Sequence, residues 1–138
     1  MRSLLTLLSL TLLVAAAYAT DHQVHAIRLA PDGTETSIDV AFPLTAKQEV
    51  GRHITESRPL PGVEGAPAQT MEAGWHWVTS PDQNGGWSIF LSYTWITADK
   101  DGKPFLLTDQ YLGSWHPDTG FAPSPPARVK ITVTPATP

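Results

Sequence analysis

The sequence predicts an all-β domain, an antiparallel β-sandwich or small barrel of about seven strands, preceded by a cleaved signal peptide. Three observations carry this prediction. Apolar residues recur with a period of two in short runs. Thirteen prolines and ten glycines punctuate those runs at the spacing of hairpin turns. No helical crossover pattern follows the leader.

The leader itself is compact. Arg2 gives a positive start, residues 4–17 are a nearly unbroken apolar run, and Ala17-Tyr18-Ala19 supplies the small-x-small pattern read by signal peptidase. An apolar run of about 14 residues is too short to span a bilayer comfortably. Residues 1–19 are therefore expected to be a signal peptide, and 20–138 a single domain beginning at Thr20. Roughly 119 residues suffice for one modest core.

The strands follow in order. Residues 24–29 form the first, with Val24 and Ile27 the expected inward pair across a small bulge. Pro31-Asp32-Gly33-Thr34 is a turn, because Pro presets φ and Gly accepts the left-handed region. Thr36, Ile38, Val40 and Phe42 then alternate with Ser37, Asp39 and Ala41, which predicts a hairpin with one buried face. Pro43 is expected to end that strand. Residues 48–57, with Val50 and Ile54, read as a weaker strand at an edge, and 58–67 as a loop.

Residues 70–79 place Trp75 and Trp77 on one face, opposite His76 and Val78. A turn over 81–86 leads into the strongest strand, 87–97. Its one face carries Trp87, Ile89, Leu91, Tyr93 and Trp95; Ser88, Phe90, Ser92, Thr94 and Ile96 lie on the other. Asp99-Lys100-Asp101-Gly102 closes the next hairpin, 105–112 returns, and 113–126 reads as a loop. Val129, Ile131 and Val133 make the last strand, with the tail 135–138 expected to fray.

Charge narrows the function. The formal net charge is −4, about −5 once Arg2 leaves with the leader. The basic residues are scattered, so neither a phosphate backbone nor an anionic membrane surface finds a cluster to follow. The absence of cysteine excludes disulfides, thiol catalysis, thiolate metal sites and a lipoprotein anchor. A free protein of the periplasm or the exterior is expected, with no transmembrane segment after the leader.

Two constellations stand out as binding candidates. If cleavage follows Ala19, the chain opens Thr20-Asp21-His22. One α-amine, two backbone amides and an imidazole in third position can enclose Cu(II) or Ni(II) in a square of nitrogens, with His25 as an outer partner. This resembles the amino-terminal copper and nickel motif of secreted proteins and peptides. The second is aromatic: Trp75, Trp77, Trp87, Tyr93 and Trp95 on two paired strands, and Trp115 in a loop. Rows of this kind hold sugars or anchor protein interfaces, although such rings also build cores. His53, His76 and His116 lack the short spacing of a ligand box. Asp99-Lys100-Asp101-Gly102 resembles the start of a calcium loop without its closing Glu.

Hydrolytic motifs are missing; Glu56, Glu72, Asp109 and Asp118 could be brought together by folding, as carboxylates of any chain could, and they define no acid–base pair. The expectation is a non-enzymatic, exported binding or accessory protein of the bacterial cell envelope, contacting a protein or glycan. Two alternatives are a periplasmic Cu(II)- or Ni(II)-binding protein and an inhibitor of an envelope enzyme acting through 58–67 or 114–124.

Overall fold

Alternation sends every second side chain of a strand into one layer. The computed structural model, which describes residues 21–60, 64–67 and 69–136, uses that rule to build two antiparallel sheets. The strands are β1 (His22–Leu29), β2 (Glu35–Leu44), β3 (Glu49–Pro59), β4 (Thr70–Pro81), β5 (Trp87–Ala98), β6 (Pro104–His116), β7 (Gly120–Ala122) and β8 (Val129–Pro135). Sheet order is β2-β1-β8 in the smaller layer and β3-β4-β5-β6-β7 in the larger. No helix occurs among the described residues, so none is long and apolar enough to cross a membrane. The leader and Thr20 lie outside them.

The inner faces meet in one cluster. Val24, Ala26, Val40, Phe42, Leu44, Val129 and Ile131 come from the smaller sheet; Trp75, Trp87, Ile89, Leu91, Tyr93 and Tyr111 come from the larger. The contact between layers is aromatic. Phe42 stacks on Trp77 with ring centroids 5.2 Å apart, and Trp87 Nε1 donates to Thr45 O at 2.8 Å. Gly51 is required opposite Trp77, because a Cβ there would overlap the indole. Trp75 is fully buried, and its Nε1 has no hydrogen-bond partner among the described residues. Phe or Trp truncation in such a core costs about 3–5 kcal/mol.

Several expectations are corrected. The strand β1 does carry an irregularity, but between Ile27 and Leu29, so the inward residues are Val24 and Ala26, with Ile27 on the other face. Pro43 does not stop β2. It pairs with Gln23 and lies in an edge strand, where the missing N–H can face away from the ladder. Half of the loop predicted for 113–126 is strand: β6 runs on to His116 and a short β7 pairs back on it. Gly113 makes this possible, because the Tyr111 ring folds over it and donates to Pro123 O at 2.7 Å. Eight strands are therefore described instead of about seven. Within the tail expected at 135–138, Pro135 pairs with His22 and Ala136 N donates to Asp21 O at 3.0 Å, while residues 137–138 lie outside the described residues. The edge position expected for β3 is found.

Candidate functional site

The two sheets are unequal, and the site follows from that inequality. β5 and β6 have 12 and 13 residues, whereas β1 has 8. The smaller sheet stops at the turn after Leu29, closed by Ala30 N to Thr34 O and Gly33 N to Ala30 O, both 2.8 Å. Asp32 caps this turn, accepting from Thr34 N and Oγ1; those bonds hold its carboxyl below the usual carboxylate range. Beyond the turn, no described strand of the smaller sheet covers the inner face of the β5–β6 hairpin.

Arg28, the last inward residue of β1, reaches over this boundary. It is fixed at the backbone, where Thr36 Oγ1 donates to Arg28 O at 2.7 Å. Its Nη1 donates to Asp109 Oδ2 at 2.6 Å, the two side chains being 13% and 30% exposed. The guanidinium carbon lies 4.2 Å from the Trp95 ring centroid and 5.1 Å from that of Tyr93. Those two rings are nearly parallel, at 11° and 5.9 Å, because positions two apart share a strand face. Burial pushes the Tyr93 phenol up, partly opposed by the Arg28 charge.

Register continues the surface outward. Tyr93 pairs with Asp109, Trp95 with Leu107 and Thr97 with Phe105, so all six face the same way. Leu107 is 43% exposed and Phe105 39%. The result is a shelf with an aromatic floor, one held cation–carboxylate pair and two apolar side chains open to solvent.

The other predicted site residues are distributed differently. Trp75, Trp87 and Tyr93 are buried; Trp77 and Trp95 are partly buried against the core. Trp115 is not in a loop but on β6, stacked 5.9 Å from Trp87. No single exposed row of five rings is formed. At the opposite end from the shelf, His22 packs 5.3 Å from Trp87 and 5.0 Å from Trp115. As part of the ladder it also pairs with Leu44 and Pro135. A square of nitrogens around Cu(II) or Ni(II) would draw on the Thr20 amine, which lies outside the described residues, and on the Asp21 and His22 amides at the start of β1. His25 bonds Asp39 at 2.8 Å. No group of three metal-ligating side chains occurs among the described residues.

The four carboxylates have separate partners. Asp109 is held by Arg28, Glu56 by Arg58, Glu72 by Arg52, and Asp118 lies near His116. An open cleft of about 360 Å³ lies between Thr45, Pro81, Asp82 and Trp87. Asp82 Oδ1 there already accepts from Asn84 N and Gly86 N. Sequence reasoning named Trp95 and Tyr93 but missed Arg28, Leu107 and Phe105. The one available signal was a charged residue on the inward phase of β1.

Comparison with family models, with curated proteins and with solved structures returned no match.

Proposed function

We propose that this chain is an exported, non-enzymatic binding protein of the bacterial cell envelope, and that it grips a protein partner with the shelf beyond the smaller sheet. The observation that carries this reading is the Arg28 guanidinium lying over Trp95 and Tyr93, beside exposed Leu107 and Phe105. Trp, Tyr and Arg are the residues that dominate interface hot spots. The cation–carboxylate pair fixes both rings in advance, which lowers the ordering cost of association. A protein is favoured over a glycan because Arg28 occupies an indole face on which a sugar ring would stack. Export rests on Arg2, the apolar run and Ala17-Tyr18-Ala19.

The test uses the exported protein. Mass analysis should place its N-terminus at Thr20. Envelope proteins captured by the wild type should then be purified and titrated against Leu107→Lys and Phe105→Lys. Both side chains are exposed, so the domain should keep its stability while affinity falls by at least about tenfold, or about 1.4 kcal/mol. A partner that binds both variants as tightly as the wild type does not use this shelf.

A further inference from the structure

The outer face of the larger sheet presents a second surface, independent of the shelf. Register aligns Val50 with Val78, Val78 with Phe90, and Phe90 with Leu112. Four apolar side chains thus cross four adjacent strands in one line, on the side away from the core. Its ends stand out in solvent: Val50 is 71% exposed and Leu112 73%. Isolated exposed apolar residues need no explanation, but an aligned row of them does.

The surroundings are almost free of charge. The outward positions of β3 to β6 carry one cation and one carboxylate, Arg52 and Glu72, 3.6 Å apart. Serines flank the row on one side, at Ser80, Ser88 and Ser114. The full chain has 13 acidic and 9 basic residues and a net charge of −4. Two copies therefore repel through most approaches, yet not through this neutral face.

The row is also self-complementary in volume. It has two small side chains at the β3–β4 end and two large ones at the β5–β6 end. A two-fold axis in the plane of the face and parallel to the strands reverses the row. Leu112 of each copy then meets Val50 of the other, and Phe90 meets Val78. Large opposes small throughout, and Arg52 opposes Gln110, so no like charges meet. Four strands at about 4.8 Å and four outward rows at about 6.8 Å give about 500 Å² of flat sheet per copy. Two copies bury about 1,000 Å², the lower edge of a specific interface.

We infer that the outer face of the larger sheet is a homodimer interface, formed by a second copy of this chain packed face to face about that two-fold axis. An interface of that size belongs with weak, transient association.

Sedimentation of the purified protein over a concentration series tests this directly. The wild type should pass from monomer to dimer across the micromolar range. Leu112→Lys and Val50→Glu should each remain monomeric there, with unchanged circular dichroism because both positions are exposed. An equimolar mixture of the two variants should regain the dimer, since Lys at 112 then faces Glu at 50. The control Leu107→Lys, on the shelf, should dimerise normally, so loss of partner binding and loss of the dimer are read separately. A wild type that is monomeric at about 1 mM overturns the inference, as does a Leu112→Lys protein that still dimerises. A mixture that stays monomeric overturns the two-fold arrangement.

Discussion

Replacing Arg28 with Met removes a charge while keeping much of the stem that lies on Tyr93 and Trp95. Two contributions disappear. A hydrogen bond between charged groups is worth about 1.5–3 kcal/mol. Asp109 is nearly one third exposed, so solvent screening reduces this to about 1–2 kcal/mol. The cation over two rings adds about 0.5–1 kcal/mol at a partly exposed site. The sum is about 2 kcal/mol. For a domain of this size that is a fall in Tm of about 8 °C. Urea unfolding followed by tryptophan fluorescence measures it, together with Asp109→Asn and the double variant. The cycle should return a coupling of about 1 kcal/mol between the two positions. Costs that simply add, or an Arg28→Met protein within about 0.5 kcal/mol of the wild type, would refute the view that this pair clamps the two sheets.

Two other predictions test the packing. Gly51→Ala should destabilise by about 1–3 kcal/mol, because its methyl must displace the Trp77 indole stacked on Phe42; thermal unfolding reads it. Burial raises the pKa of both Tyr93 and Tyr111 above the ordinary value of 10.0. The folded state thus keeps its phenol protons where the unfolded chain loses them, so this stability is complete below pH 10 and drains away as pH climbs through the raised values. In the protein without residues 1–19, phenolate absorbance should appear only above pH 10 and together with loss of near-ultraviolet dichroism. Phenolate forming near pH 10 in an intact fold would contradict it.

The strands were legible where alternation was uninterrupted. Residues 87–97 show it best: Trp87, Ile89, Leu91, Tyr93 and Trp95 do share the inner face. Errors arose where tertiary context overrides a local rule. Pro43 looks like a terminator until β2 is known to be an edge, and Gly113 looks like a loop until Tyr111 closes over it. Ala26 lost to Ile27 as an inward residue because apolarity alone does not locate the irregularity after Ile27. The shelf was half legible for a similar reason. Its aromatic members lie on one predicted strand face, but Arg28 and Asp109 are 81 positions apart, a separation on which local periodicity is silent. The outer row was missed because Val50, Val78, Phe90 and Leu112 lie on four strands and align only once register is known.

The mismatch in length between the layers has a consequence for how this molecule can change. The β5–β6 hairpin ends in a turn held by its own bonds, with Asp99 N donating to Lys103 O and Asp99 Oδ1 accepting from Asp101 N and Lys103 N. Among the described residues, none of the core cluster belongs to that tip. Inserting two residues into each arm would push it out by about 7 Å and leave every side chain facing as before. The overhang is thus a growth point, where recognition can be retuned by insertion while the buried core is left alone.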